Sequence, residues 1–259
     1  GIGPASQLRA LDIPVVVDLP GVGQNLQDHL DVAVAYRCTE PISLGTVYAA
    51  AEIEYRYFRK GPLTSNGPEA GGFLKTRADL PAPDLQFHFS PGWSVGFGVE
   101  RPEGHGFALW PAVVLPESRG YLELRSRDPL EPPLIQPNYL ASEADLDVLV
   151  QGVKIARELA QTQAFAPFIG EAIQPEAALR SNEDIRAYIC ETASTVFHPV
   201  GTCKMGVDPL AVVDPRLRVY GVEGLRVADA SIMPLIANGN TNAPAIMIGE
   251  KLADMTKHH

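Results

Sequence analysis

Apolar residues at helical spacing predict the helices of this chain. The clearest helix runs from Ser142 to about Gln161, where Leu146, Leu149 and Val153 form a stripe suited to burial against a core. Ser142 precedes this stripe as a polar N-cap residue. The other predicted helices are Pro4 to Leu11, Val47 to Arg59, Ser181 to about Ala193, and about Asn242 to Met255.

Alternating or β-branched runs predict the strands. Leu85 to Ser90 alternates with period two, and Phe107 to Leu115 and Tyr121 to Arg125 follow, the last two joined by a hairpin-like connection at 116–120. Because these three runs lie close in sequence, we expect an antiparallel sheet in a mixed α+β fold. Further strands are predicted at Ile13 to Asp18, Asp31 to Arg37 and Leu225 to Asp229, with turn-rich loops at 19–29 and 66–72.

Composition narrows the class of protein. The 259 residues suffice for one large or two small domains, and 46% are hydrophobic, which is typical of a folded globular protein. With 21 basic against 31 acidic residues, the net charge is −10. The chain therefore lacks the basic face that a general nucleic-acid binder needs, and we expect no nucleic-acid partner. No apolar run reaches about 18 residues, so no membrane span is predicted.

The cysteines indicate free thiols. Cys38, Cys190 and Cys203 are odd in number and form no C-x-x-C pair, which argues against a disulfide framework or a zinc ribbon. Mostly buried thiols in a reducing compartment fit this usage, and we expect a cytoplasmic location and no metal site.

One glycine-rich segment resembles a nucleotide-binding fingerprint only in part. Gly21-Val22-Gly23-Gln24-Asn25-Leu26 begins like G-x-G-x-x-G but has Leu at the sixth position. No well-patterned helix follows it, although the fingerprint needs a helix whose N-terminus meets the pyrophosphate. A turn-rich loop is the favoured interpretation.

A histidine in a shaped loop is the first candidate for chemistry. His198 stands before Pro199, which favours an extended backbone, and Gly201 and Gly206 follow. A histidine on such a loop can serve as a general base near neutral pH. A purely structural histidine is the alternative that local sequence leaves open.

The second candidate is the start of the last predicted helix. A polar loop containing Asn240 and Thr241 precedes it, Asn242 lies at or near its N-cap, and Pro244 falls in its first turn. The unpaired N–H groups of a helix start favour an anion or a developing negative charge. On local sequence alone, a plain helix cap is the favoured interpretation of Asn242.

Together, these segments resemble the glucose–methanol–choline (GMC) family of FAD-dependent oxidoreductases, on its choline dehydrogenase and alcohol oxidase side. The motifs occur in family order from the first residue almost to the last. They are GIGP (1–4), LPGVGQNLQDH (19–29), GPLTSN (61–66), EAGGF (69–73), ESRGYLELRSRDP (117–129), HPVGTCKMG (198–206), LRVADASIMP (225–234) and NTNAPAIMIGEK (240–251).

The resemblance implies a fold and a division into domains. It implies an antiparallel substrate-domain sheet backed by helices, together with the C-terminal part of a Rossmann-like FAD domain. The implied bounds are an FAD-domain segment and FAD-covering loop at 1–34, a substrate-binding domain at 35–205, and a return to the FAD domain at 206–259. The family's ADP-binding fingerprint is missing, and the chain opens without Met. We therefore expect the C-terminal half of an enzyme whose partner is its N-terminal FAD-binding half.

The resemblance also implies roles for individual residues. His198 and Asn242 would be the catalytic pair that oxidises a small alcohol by hydride transfer to FAD, with oxygen or another acceptor taking the electrons. A non-catalytic binding or assembly subunit on the same scaffold is the alternative. The remaining implied contacts are Asp229, Ala230, Asn240, Thr241 and Asn25 with the cofactor, and Phe197 with the substrate. Apart from the resemblance, Trp93 is a candidate for lining a substrate cavity, with core packing as the favoured alternative.

Overall fold

A computed structural model describes residues 1–41, 43–44, 50–92 and 103–257. Its contacts divide the chain into two compact units. Unit 1 comprises 1–29, 115–142 and 197–259, and unit 2 comprises 30–114 and 143–196. These units are defined by contacts alone, and the domain bounds expected from the resemblance stay a prediction.

Strands and helices alternate irregularly along the described residues. The strands are β1 Ile2–Gly3, β2 Val17–Asp18, β3 Leu30–Asp31, β4 Val34–Cys38, β5 Ala70–Leu74, β6 Leu85–Ser90, β7 Gly106–Val113, β8 Tyr121–Glu123, β9 Leu134–Gln136, β10 Ile169–Gln174 and β11 Ser194–Thr195. The α-helices are α1 Ala5–Ala10, α2 Ala51–Ile53, α3 Glu143–Ala160, α4 Asn182–Thr192 and α5 Asn242–Lys257. A π-helical turn Glu54–Phe58 and two 3₁₀ turns, Pro62–Thr64 and Ala230–Ile232, complete them.

Unit 2 is built on an antiparallel sheet centred on β7. One edge of β7 pairs with β6, and its other edge pairs with β4 and β3, so β7 is buried along its whole length. β5 extends the sheet beyond β6, β10 extends it beyond β4, and β11 extends it beyond β3. Helix α3 packs against β7 and α4. The residues buried most completely here include Leu85, Leu149, Ile185, Ile189, Val32, Val34, Val113 and Val153.

Unit 1 has little regular structure besides α1 and α5. β1 and β2 form a short parallel pair, and β8 pairs with β9 in an antiparallel ribbon. Its apolar core is drawn mainly from the last segment of the chain and comprises Leu19, Val200, Val212, Val213, Leu217, Val219, Ile232, Met233, Ile236 and Ile248. The rest of unit 1 consists of loops that are held together by backbone hydrogen bonds.

The mixed fold with an antiparallel sheet is confirmed, as are the stronger helical predictions. The predicted helices at 142–161 and 181–193 correspond to α3 and α4. Ser181 caps α4 as expected: its hydroxyl accepts the Asp184 N–H at 3.0 Å, and the Asp184 carboxylate accepts the Ser181 N–H at 3.1 Å. The strand predicted at 85–90 is β6, and the last helix begins at Asn242.

Several strand predictions are wrong. The runs at 107–115 and 121–125 do not form a hairpin, because β7 belongs to the unit 2 sheet while β8 pairs with β9. The run 225–229 forms only an isolated bridge, between Arg226 and Arg218, because no strand of the described chain lies beside it. Of the buried strand predicted at 13–18, only β2 (Val17–Asp18) is present, and Val16 is 73% exposed.

Two further segments differ from expectation. The predicted loop 66–72 contains the start of β5, whose two adjacent glycines gave no strand signal. Of the predicted helix 47–59, residues 47–49 lie outside the described residues, and the remainder is one α-helical turn followed by a π-helical turn. Cys190, expected to be buried, is exposed on α4, although all three thiols are free. None of the described helices has the length and apolar character needed to cross a bilayer.

Candidate active site

His198 lies in a buried polar cluster within unit 1. The preceding residue, Phe197, has a left-handed backbone (φ +61°), a conformation that costs a non-glycine residue roughly 1–2 kcal/mol. Pro199 follows and cannot donate a backbone hydrogen bond. This bend leaves the Phe197 side chain 63% exposed while the His198 side chain turns inward and is 9% exposed.

The imidazole of His198 meets a second imidazole. Its Nδ1 lies 2.9 Å from Nδ1 of His29, which is 1% exposed. The two rings are perpendicular, with centroids 5.1 Å apart. One of the two Nδ1 atoms must carry the shared hydrogen, because a hydrogen bond between two nitrogens needs one donor and one acceptor.

The other ring nitrogen of His198 faces an amide. Nδ2 of Asn240 lies 3.3 Å from Nε2 of His198. Since an amide NH₂ group only donates, Nε2 is then the acceptor and bears no hydrogen. With this orientation of the amide, the proton of neutral His198 lies on Nδ1 and can be donated to His29.

A carboxylate fixes the backbone of the same histidine. Oδ1 of Asp28 accepts the His198 backbone N–H at 2.9 Å, and Oδ2 accepts the Tyr139 hydroxyl at 2.6 Å. Asp28 is 8% exposed. Through these two bonds the carboxylate holds the His198 backbone and the Tyr139 hydroxyl together.

Burial lowers the pKa of His198 below its ordinary value of 6.5, and the nearby Asp28 carboxylate partly opposes this by favouring the charged imidazole. Desolvation is the larger of the two effects. His198 is therefore neutral at pH 7, which is the state in which a histidine can accept a proton.

The residues before and at the start of α5 have different surroundings. Asn240 is exposed but reaches the His198 ring, whereas Thr241 is 7% exposed and its carbonyl accepts the first α-helical N–H, from Ala245, at 3.0 Å. Asn242 is the first helical residue and is exposed. The structure thus brings Asn240 together with His198 and leaves Asn242 facing outward at the helix start.

The first turn of α5 favours negative charge. No acidic side chain occurs there, and Pro244, the third helical residue, leaves no N–H to satisfy at that position. A 16-residue helix presents its remaining unpaired N–H groups and the positive end of its dipole at this point. The exposed Asn242 amide adds further hydrogen-bonding capacity.

Asn25 and its neighbours join distant segments of unit 1. The Asn25 amide donates to the carbonyls of Gly201 and Pro234, at 3.3 and 3.2 Å. Gln27 donates to the Pro234 carbonyl at 3.1 Å and accepts the Ile236 N–H at 3.2 Å. This loop is held against the His198 loop and the segment leading to α5.

The glycines of the partial fingerprint serve close packing. A Cβ at Gly21 would collide with the Leu210 carbonyl, and one at Gly23, where φ is +82°, would collide with the Leu122 carbonyl. Backbone therefore passes directly against backbone at both positions, which explains glycine here without a bound phosphate.

The remaining expected contacts fall into three groups. The Asp229 carboxylate accepts the Ser231 N–H at 2.8 Å and so caps the short 3₁₀ turn that begins at Ala230. Phe197 is exposed beside His198. Trp93 lies outside the described residues.

Among the described residues, no three His, Cys, Asp or Glu side chains converge as metal ligands would.

Sequence reasoning missed three members of the cluster: Asp28, His29 and Tyr139. Asp28 and His29 end the LPGVGQNLQDH motif directly before β3, a place where two adjacent polar residues become buried. That adjacency was an available signal. Tyr139 lies in a Pro-rich stretch and gave none.

Comparison with known proteins identifies the family. The sequence profile described as GMC oxidoreductase matches residues 116–249, which include the His198 loop and the start of α5. The chain belongs to the GMC oxidoreductase family.

Relatives with curated names come from the choline branch. This GMC chain is 43% identical to the mitochondrial choline dehydrogenase of Mus musculus over 266 residues, covering 100% of the chain and 45% of that protein. It is 44% identical to the oxygen-dependent choline dehydrogenase of Pseudomonas fluorescens, covering 98% of the chain and 46% of that protein. The chain thus spans about half the length of these relatives.

Solved structures of GMC-like proteins share the fold. The formate oxidase of Aspergillus oryzae matches with a TM-score of 0.92 and 28% identity, covering 100% of this chain and 51% of that one. The pyridoxine 4-oxidase of Mesorbium loti matches with a TM-score of 0.86 and 27% identity, covering 100% and 48%.

Proposed function

We propose that this chain is the C-terminal half of an FAD-dependent oxidoreductase that oxidises an alcohol CH–OH group, with choline as the first substrate to test. The observation that carries the proposal is the neutral, buried His198 beside the start of α5. Family membership and the choline dehydrogenase names of its relatives support the substrate class.

His198 accepts the hydroxyl proton of the alcohol in this proposal. Its Nε2 lone pair faces the Asn240 amide at 3.3 Å, a long contact for an N–H donor. A substrate hydroxyl can therefore compete for that lone pair, while Asn240 remains close enough to help hold the substrate oxygen. Exposed Phe197 would contact the rest of the alcohol.

The residues around α5 fit a flavin. Bound FAD would supply the acceptor for a hydride leaving the alcohol carbon, and its ring would gain negative charge. The positive end of α5 and the exposed Asn242 amide favour negative charge at that place. Thr241 and Asn240 would line the same region, and Asp229, Ala230 and Asn25 would follow the rest of the cofactor.

The partner in this proposal is an amino-terminal half that carries the ADP-binding fingerprint. No such fingerprint occurs in this chain, and the matched relatives are about twice as long. Oxygen or another acceptor would then take the electrons.

The test is anaerobic flavin reduction by choline in the complete FAD-loaded protein. His198→Ala should slow bleaching of the flavin by about 10²–10⁴-fold, the usual range for a lost acid–base group. Flavin content should stay at the wild-type level, because His198 is not expected to hold the cofactor. Wild-type bleaching in this variant would overturn the catalytic role.

Asn242 variants distinguish a role at the flavin from simple helix capping. Asn242→Ala should weaken transition-state stabilisation by about 1.5–3 kcal/mol, the value of one hydrogen bond to charge. Asn242→Asp should be slower still, because its carboxylate opposes negative charge there. Asp stabilises a helix start as well as Asn does. Bleaching at the wild-type rate in Asn242→Asp would therefore leave Asn242 a structural residue.

The same assay separates the alternative of a non-catalytic subunit. A complete protein that binds FAD but is not bleached by choline or any other alcohol would favour a binding or assembly role on the GMC scaffold.

A further inference from the structure

His29 is the hydrogen-bonding partner of His198 Nδ1, at 2.9 Å. The two residues are 169 positions apart, and both side chains are buried in unit 1. Neither the sequence motifs nor the family resemblance assigned a role to His29.

The ring contacts favour one position for the His198 proton. Asn240 donates toward Nε2 of His198, so Nδ1 carries the hydrogen and donates it to Nδ1 of His29. With the hydrogen on Nδ1, the lone pair of the His198 ring lies on Nε2 and faces the Asn240 amide. Without an acceptor at Nδ1, only the long 3.3 Å contact from the Asn240 amide would favour this tautomer over the one with hydrogen on Nε2.

A neutral partner has a different effect from a carboxylate. A carboxylate at Nδ1 would favour the imidazolium form and raise the pKa of the ring. Asp28 instead bonds the His198 backbone and the Tyr139 hydroxyl, so the ring's direct Nδ1 partner is an imidazole. This arrangement orients the ring while leaving it neutral, in keeping with the lowered pKa of His198.

We propose that His29 is a positioning residue: it accepts the Nδ1 hydrogen of His198 and so keeps Nε2 free of hydrogen as the proton acceptor. The inference rests on the proposed function, because Nε2 matters only if His198 takes the alcohol proton. It concerns the orientation and tautomer of the base and adds no contact with the substrate.

The first measurement is the tautomer itself. The complete FAD-loaded protein, labelled with ¹⁵N-histidine, would be examined by long-range ¹H–¹⁵N spectra above pH 7, with His198 assigned through its loss in His198→Ala. We expect the pattern of an imidazole protonated on Nδ1. Protonation on Nε2 in the wild-type protein would overturn the proposal without any variant of His29.

Two substitutions then test the role of His29. His29→Leu removes the acceptor, and it should raise the population of the His198 form protonated on Nε2 and slow anaerobic flavin reduction by about 10–100-fold, as loss of an orienting partner of a histidine typically does. His29→Asn keeps an acceptor oxygen near the former Nδ1 position. It should return His198 to the Nδ1-protonated form and recover most of the lost rate.

His105→Leu is the matched control. It removes another histidine, one that contacts Ser43 in unit 2 at 3.0 Å, and it should leave the His198 spectrum unchanged. If His29→Leu folds and keeps both the wild-type tautomer and the wild-type rate, the positioning role is overturned. If neither His29 variant folds, the wild-type spectrum still decides the proton position.

The outcomes also separate this inference from the proposed function. A slow His198→Ala protein together with an unaffected His29→Leu protein would overturn the positioning role alone. A His198→Ala protein with wild-type bleaching would overturn the proposed function and, with it, the catalytic meaning of the pair.

Discussion

Asp28 acts on His198 by two routes that have different consequences. Its hydrogen bond to the backbone N–H holds the loop after Phe197, whose left-handed backbone is unfavourable on its own. Its charge, at the same time, favours the protonated imidazole and opposes the effect of burial. A substitution that keeps the shape and removes the charge can separate the two.

The pH dependence of the reductive reaction follows from the pKa of His198. Because that pKa is lowered, protonated His198 should accumulate only below pH 6.5, and flavin reduction by choline should decline there as pH falls. The groups facing the ring are Asp28, His29 and Asn240. An anaerobic pH profile of flavin bleaching checks the position of this acid limb.

Asp28→Asn sharpens the test. Removing the carboxylate charge removes the influence that raises the pKa of His198, so the acid limb should move to still lower pH. A limb that moves to higher pH in this variant would contradict the electrostatic account. Tyr139→Phe serves as the companion variant, since it removes the hydroxyl bond to Asp28 and leaves the carboxylate in place.

At the level of elements, local signals were enough for helices and insufficient for strand pairing. α3 and α4 were predictable because an apolar stripe and a capping residue lie within one short segment. The run 225–229 has a strand-like composition, but a strand also needs a neighbour, and sequence pattern does not supply one. For the same reason β8 was assigned to the wrong partner.

The candidate site shows the same division. His198 was predictable from its loop, since Pro199 and the glycines shape the backbone locally. Its ring partner His29 was not, because that contact joins residues 169 positions apart. The motifs contain both histidines, whereas their contact across 169 positions follows only from the fold.

Gly152 offers a test of how closely α3 lies on the sheet of unit 2. A Cβ there would stand 2.6 Å from Cβ of Pro111 on β7 and 3.1 Å from a methyl group of Leu85 on β6. Gly152→Ala should therefore lower the free energy of unfolding by about 1–3 kcal/mol through overpacking, less the helical gain of alanine. Urea unfolding followed by circular dichroism measures this.

Gly249 is the matched control for that change. It lies inside α5, and no atom beyond its own helix comes within 4 Å of a Cβ placed there. Gly249→Ala should stabilise the protein by up to about 1 kcal/mol, because alanine favours the helical backbone more than glycine does. Equal effects of the two substitutions would show that α3 does not contact β7 as closely as described.

For the whole molecule, the apolar side chains exposed on unit 1 agree with the proposed amino-terminal partner. Leu235, Ile246 and Met247 are each at least 59% exposed. Leu235 precedes α5 by a few residues, and the other two lie in α5. Contiguous apolar surface commonly marks a site that another polypeptide covers. We propose that the FAD-binding half covers them.

This chain alone should not retain FAD. It contains no ADP-binding fingerprint, and the glycines most like one are occupied in backbone packing. Dialysed against FAD, the isolated chain should stay colourless, whereas the chain co-purified with the amino-terminal half should be yellow. Stoichiometric flavin absorbance in the isolated chain would contradict the proposed division of the cofactor site.

The interleaving of the two units also sets an order of assembly during synthesis. The last segment of unit 2 ends at residue 196, so that unit is complete on the ribosome before residues 197–259 are made. At about 5–20 residues per second, the remaining segment takes several seconds more. Throughout that interval Asp28 and His29 are already synthesised, but the His198 loop that they contact is not. The candidate active site can therefore form only after His198 and Asn240 have been translated, well after Asp28 and His29.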